Sequence, residues 1–222
     1  MASRIIKLAR WFCLYVLLLL AARQSFLFLD PPLSLKKEDG RLLVYGQTLQ
    51  SIKELQIEFS LSELPAALTR ALLFQEDQAF YNHRGYHLRE MGLALLDYAA
   101  GSRLRGASTI TQQLARTLFL NREKTLQRKL QELYLARLLE SHLSKEEILE
   151  LYLNHVYWGK NQNGIGRAAR YYFALQPQRL SPGQIAFLVS LLPHPDQCKQ
   201  KTCASPQREK RQRRLERYLR SL

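Results

Sequence analysis

Acidic residues are in short supply. The 222-residue chain carries 19 Asp and Glu against 33 Lys and Arg, a formal net charge of +14. An excess of that size points to an anionic partner: nucleic acid, a phospholipid surface or a phosphate-bearing substrate. Cysteine is scarce too, at three residues. Cys13 falls in an apolar stretch, and Cys198 and Cys203 bracket Lys199-Gln200-Lys201-Thr202. With His194 the one histidine nearby, a zinc site lacks ligands. A small disulfide loop in an oxidising compartment and a pair of free thiols both remain open. No internal repeat is present, so a repeat array is excluded. Apolar residues are not lacking: at 46% they suffice for a full core and argue against disorder.

No uninterrupted apolar run reaches the roughly 20 residues of a membrane span. The uncharged stretch Trp11 to Ala22 is too short alone, and Arg23-Gln24-Ser25 separates it from Phe26-Leu27-Phe28-Leu29. A span from Trp11 to Leu29 is long enough when Arg23 snorkels to the headgroups. A signal peptide is the rival reading, but Leu20-Ala21-Ala22 is a poor cleavage site. Residues 1–30 are therefore read as a cytoplasmic stub and an uncleaved single-pass anchor. Arg4, Lys7 and Arg10 precede the apolar run, which puts the N-terminus in the cytoplasm and the remainder outside it. That topology excludes nucleic acid as the anionic partner.

Residues 31–58 read as a connector. Pro31-Pro32 ends the anchor, Lys36 to Gly40 form a charged turn, and Leu42-Leu43-Val44-Tyr45 has the look of a minor strand pair. From Ser62 onward the pattern is helical almost throughout. Ser62-Glu63-Leu64-Pro65 opens a helix carrying Leu68, Leu72 and Leu73. Ser144 with Glu147, and Ser181 with Gln184, have capping-box spacing, the second with Pro182 at the first helical position. Pro193-His194-Pro195 stops that last helix. Residues 59–222 thus form one mainly α domain ending in a basic tail.

What is there in excess is polar chemistry inside helical sequence. Glu76-Asp77 ends an apolar helix and runs into Phe80, Tyr81, His83, Arg84 and Gly85. A carboxylate walled by aromatics has its charged form disfavoured, which suits a general acid or base. A solvated acid pair on the last turn is the bland alternative. Gly106-Ala107-Ser108-Thr109-Ile110-Thr111-Gln112-Gln113 follows a glycine- and arginine-containing loop. Glycine and hydroxyls at a helix start can offer backbone N–H groups to an anion, and the glutamines can bond sugar hydroxyls. An ordinary N-cap explains the same residues. Arg128, Lys129 and Glu132 lie at helical spacing, with Arg116, Arg122 and Lys124 upstream. They are either a cation cluster gripping phosphate beside a second carboxylate or a surface ion pair worth about 0.3 kcal/mol. Lys145-x-x-Ile148-Leu149-x-x-Tyr152-Leu153-Asn154 is an apolar helix face that buttresses the site.

Each cluster alone is ambiguous, but together, from about Leu61 to Pro195, the chain resembles the peptidoglycan glycosyltransferases. These family-51 enzymes polymerise bacterial wall glycan from lipid II. Their motifs E-D-x-x-F-x-x-H-x-G, G-x-S-T-I-T-Q-Q, R-K-x-x-E and K-x-x-I-L-x-x-Y-L-N all occur without a substitution at a defining position. The resemblance implies a lysozyme-like fold, with Glu76 as the base that deprotonates the acceptor 4-hydroxyl. It implies that Glu132 assists at the departing pyrophosphate, held by Arg116, Arg128 and Lys129 with a divalent cation, Mg²⁺ or Mn²⁺, carried by that pyrophosphate. No protein metal ligands are implied. Ser108, Thr111, Gln112 and Gln113 would line the sugar and phosphate subsites, while Asp77, His83 and Arg84 would support the first motif. The implied reaction inverts an α-linked donor into a β-1,4 bond and releases undecaprenyl pyrophosphate. The implied partners are lipid II, the growing glycan strand, the lipid bilayer and other cell-wall synthesis proteins. The implied place is the outer face of a bacterial inner membrane. Because the chain stops where bifunctional members continue, a monofunctional enzyme is expected.

Between the first two motifs, Tyr86, Leu88, Met91, Leu93, Leu95, Leu96 and Tyr98 are more apolar than a solvated loop requires. In the family this region dips into the bilayer; plain helix packing is the alternative. The basic tail reads equally as a headgroup-binding segment or a solvated helix face. Three positions depart from the family pattern: Arg116 for a frequent Lys, Gly166-Arg167 for a glutamate-containing pair, and Gln184 for a frequent Glu. Two other functions stay in view. A lytic enzyme on the same fold needs one acid and no pyrophosphate-binding cations. A non-catalytic anchored scaffold needs neither Glu76 nor Glu132.

Overall fold

The computed structural model describes residues 34–38, 41–45, 53–87, 108–120, 125–197 and 205–222. The anchor, Arg122 and Lys124, the apolar stretch from Leu88 to Tyr98, and the Cys198–Cys203 pair lie outside the described residues. Among the described residues no helix is long and apolar enough to cross a membrane.

The chain divides into two compact units, one ending at Glu54 and one running from Leu55 to Leu222. The first holds the strand pair expected from the alternating sequence. Strands β1 (Ser34–Glu38) and β2 (Arg41–Tyr45) pair antiparallel, from Ser34 opposite Tyr45 to Glu38 opposite Arg41. Strand β3 (Lys53–Leu55) completes a sheet of order β1-β2-β3.

The second unit is helical. A one-turn 3₁₀ segment, Leu61–Glu63, is capped by Ser60, and the α-helix proper begins after it. Helix α1 is Ala66–Glu76, with Pro65 at its N-cap, so the helix start expected at Ser62 is split into two pieces. Helices α2 (Ile110–Phe119), α3 (Leu126–His142), α4 (Lys145–His155), α5 (Ile165–Phe173), α6 (Pro182–Leu191) and α7 (Pro206–Arg220) follow. Both expected capping boxes are formed, at Ser144 with Glu147 and at Ser181 with Gln184. Gln184 thus does the capping work of the frequent Glu. Helix α6 is buried almost all round, through Ile185, Ala186, Leu188, Val189, Ser190 and Leu191. Helices α1 and α7 pack on α6, α7 also lies along α1, and α2 packs on both α3 and α4.

Two contacts tie the start of this unit to its helices. Asn154 accepts from the N–H of Glu58 and of Phe59, both at 3.0 Å, and donates to the carbonyl of Phe59 at 2.8 Å. Phe59 then covers Gly166 on α5. A Cβ at Gly166 would stand 2.4 Å from Phe59 Cε2. That packing explains the glycine which departs from the family pattern.

The basic tail packs one face into the core and leaves Lys210, Arg213, Arg217 and Arg220 exposed. Arg208 is 6% exposed and lies 4.7 Å over the Phe187 ring. Arg211 donates through Nε to the Ser190 carbonyl at 3.1 Å. Arg214 lies 4.8 Å over Phe74, and Tyr218 stacks on the same ring at 4.1 Å. With the fully buried Leu215, these residues make one helical stripe that packs α7 into the core.

Candidate active site

Glu76 is the last residue of α1, half-buried, and its Oε2 accepts from Gln113 Nε2 at 3.0 Å. Its Oε1 is buried without a hydrogen-bond partner among the described residues. Burial therefore raises the carboxyl above the ordinary carboxylate range. The Gln113 bond and the charges of Arg211 and Arg116 pull the other way, while Asp77 adds to the rise. Gln113 is engaged at both ends, since its Oε1 accepts from the Tyr152 hydroxyl at 2.9 Å. Tyr152 is fully buried on α4, and burial holds its phenol well above the usual range, so it stays protonated.

Asp77 faces away from this chain of bonds. It is buried, and its Oδ2 accepts from His83 Nε2 at 2.9 Å and from the Ile110 N–H at 3.0 Å. Gly85 N–H donates to His83 Nδ1 at 3.1 Å, so Nδ1 is the bare nitrogen and Nε2 carries the proton. Thr109 Oγ1 donates to the Gly85 carbonyl at 2.7 Å. The first motif thus caps the helix that starts the second. Asp77, His83 and His87 bring potential ligand atoms within 4.8 Å of one another. Both His83 nitrogens are already committed, in a tautomer whose free lone pair faces an N–H, so the cluster is a hydrogen-bond joint and not a metal centre.

Glu132 is completely buried on α3. Arg128 Nη1 donates to its Oε2 at 2.7 Å, and Lys129 Nζ donates to its Oε1. Lys129 also reaches Ser108 Oγ at 2.9 Å and Gln112 Oε1 at 3.5 Å. Gln112 Nε2 and Arg128 Nε are buried donors without acceptors among the described residues. Unmet donors beside two cations suit an anion. They do not suit a resident metal, because the one carboxylate here already pairs with both cations.

The predicted site residues therefore sort by contact. Glu76 and Gln113 form one half, and Glu132, Arg128, Lys129, Ser108 and Gln112 the other. Gln112 and Gln113 are neighbours on α2, so a single turn of that helix contacts the Glu76 carboxylate directly and Glu132 through Lys129. Arg116 is exposed and its charge acts on Glu76. Arg84 is exposed beside the Asp77–His83 joint. Thr111, expected to line a subsite, is fully buried and donates to Glu140 Oε1 at 2.6 Å, where Lys145 Nζ also binds at 2.7 Å. It faces the joint of α2, α3 and α4 because the helix stripe of Ile110, Thr111, Leu114 and Leu118 points inward. The anion-binding helix start is likewise taken up internally: the Ile110 N–H goes to Asp77, and the Gln112 N–H to Thr109 Oγ1 at 3.1 Å. Sequence reasoning missed Tyr152 as a polar participant and read Arg211 only as part of the basic tail. The spacing of Arg211 with Leu215 and Tyr218 was the available signal.

Fold and site define a class: a mainly helical domain built around two carboxylates, one underpartnered and one clamped by cations. The family described as Transglycosylase matches residues 45–220, a stretch that takes in α7. The chain belongs to the transglycosylase family. A protein named biosynthetic peptidoglycan transglycosylase from Paraburkholderia xenovorans is 46% identical over 129 residues, 58% of this chain and 54% of that protein. One of the same name from Alcanivorax borkumensis is 45% identical over 130 residues, 58% of this chain and 53% of that one. Penicillin-binding protein 1A of Vibrio cholerae serotype O1 is 40% identical over 166 residues, 73% of this chain and 19% of that protein. The chain thus spans about half the length of the first two and about a fifth of the third.

Proposed function

We propose that this chain is a peptidoglycan glycosyltransferase that joins lipid II units through β-1,4 bonds and releases undecaprenyl pyrophosphate. The observation that carries the reading is the opposite setting of the two carboxylates. Glu76, with its proton affinity raised by burial and one oxygen lacking a donor, suits a base that takes a proton near neutral pH. Glu132, held between Arg128 and Lys129, fixes two cations at one place.

In the proposed step the Glu76 carboxylate takes the proton of the acceptor 4-hydroxyl as its oxygen attacks the donor anomeric carbon. The bond from that carbon to pyrophosphate breaks, and its electron pair leaves with the phosphate. Attack opposite the leaving group inverts the centre. Negative charge grows on the pyrophosphate, where Arg128, Lys129 and the unmet donors of Gln112 and Arg128 supply compensation without reorganisation. A divalent cation fits this scheme as the pyrophosphate's own counter-ion. A lytic reaction has no use for that cation cluster. The substrate is amphiphilic, so the domain works at a bilayer surface, outside the cytoplasm.

The test is polymerisation of labelled lipid II by the detergent-purified chain and by a Glu76→Gln variant, followed by muramidase digestion. Muramidase-sensitive polymer from wild type alone is the expected result. Absence of polymer from wild type in detergent and in liposomes overturns the enzyme reading.

A further inference from the structure

We infer that Tyr152 is a positioning residue for Glu76, acting through the Gln113 amide; the role as base rests on the function proposed above. Gln113 bridges two groups with different needs. The Glu76 carboxylate accepts only, so it needs the NH₂ end. The amide can turn by 180° about its last bond and exchange oxygen for nitrogen. The carboxylate selects the orientation, and Tyr152 reinforces it and holds the amide in place. Its hydroxyl is buried and donates to Gln113 Oε1 at 2.9 Å, which turns Nε2 toward Glu76 Oε2 at 3.0 Å. The flipped amide would set oxygen against carboxylate oxygen and leave the phenol proton without that acceptor. In the observed orientation both bonds are made; in the flipped one the bond to Glu76 is lost, and the phenol could only accept from the amide, leaving its own buried proton without this partner.

The other charges near Glu76 come from every side. Asp77 follows it in the chain, Arg116 stands on α2, and Arg211 stands on α7. All three act through space and none fixes the amide. The Glu76 charge acts on the Tyr152 phenol through space. Tyr152 is neutral, however, and its hydrogen-bonded route to Glu76 runs through Gln113, so its positioning effect must vanish when Gln113 is absent. A merely structural tyrosine carries no such dependence.

The experiment uses the full chain in detergent, as wild type, Tyr152→Phe, Gln113→Leu and the double variant. Two readouts are taken: the pH dependence of lipid II polymerisation, and titration of Glu76 by ¹³C NMR with glutamate carboxyls labelled. The Glu76→Gln spectrum assigns the signal. Tyr152→Phe is expected to move the Glu76 titration and the acidic limb of the rate profile to higher pH, and to lower kcat more than KM. Gln113→Leu alone is expected to give the same direction, and adding Tyr152→Phe to it to move neither readout further. A Glu76 titration unmoved by Tyr152→Phe, or moved equally with and without Gln113, overturns the inference. If wild type makes no polymer the proposed function falls, and the NMR arm still decides the positioning role.

Discussion

Replacing Lys129 with methionine should separate stability from catalysis. Glu132 is fully buried, and its two cations are partly open to solvent, with side-chain exposures of 14% for Arg128 and 30% for Lys129. Removing one member of a buried ion pair costs about 3–5 kcal/mol, mostly by leaving a charge uncompensated. Arg128 stays on the other carboxylate oxygen, and solvent already screens part of the Lys129 charge. The expected loss for Lys129→Met is therefore about 2 kcal/mol. Adding Glu132→Gln removes the stranded charge while keeping an oxygen for Arg128, so about 1 kcal/mol should return. Urea unfolding of the detergent-solubilised chain, followed by far-ultraviolet circular dichroism, measures both. Polymerisation should be lost in the single and in the double variant alike. A single variant within about 0.5 kcal/mol of wild type would refute the buried-pair argument. So would a double variant less stable than the single one.

Two other substitutions probe α7 and the start of the helical unit. Arg211→Gln removes a cation that favours ionised Glu76, so the acidic limb of the pH–rate profile should move to higher pH, with Arg211→Lys holding it near wild type. An unmoved limb would detach α7 from the site. Gly166→Ala gains helix propensity but drives a Cβ against Phe59, for a net destabilisation of about 1–2 kcal/mol in thermal or urea unfolding. A stabilised variant would show that the Phe59 ring yields freely.

The legible parts of this fold were those written in short-range chemistry. Ser144 with Glu147 and Ser181 with Gln184 form the boxes their spacing promised, and Glu76 ends an apolar helix as read. Pro65 shows the limit: Ser60 and Glu63 close a separate 3₁₀ turn, which the same residues do not distinguish from a helix start. Tyr152 passed for one more apolar contact because its hydroxyl partner lies 39 residues away in sequence. Thr111 looked like a lining residue because hydroxyls suggest ligands, yet only the packing of α2 against α3 and α4 reveals that it points inward. In the basic tail every arginine looks alike until burial separates Arg208 and Arg211 from the exposed Arg213 and Arg217.

Helix α2 behaves as a beam loaded at two adjacent points. Gln112 leans on the lysine that clamps one carboxylate, and Gln113 steers the other. The near end of the beam is pinned, because Asp77 holds the Ile110 N–H. Gln112 Oε1 is held as well by the Thr109 N–H at 3.1 Å, so that turn stays capped beside the lysine. In the reaction proposed above, the two carboxylates would be served by adjacent side chains of one helix, so a shift of α2 would be felt at both.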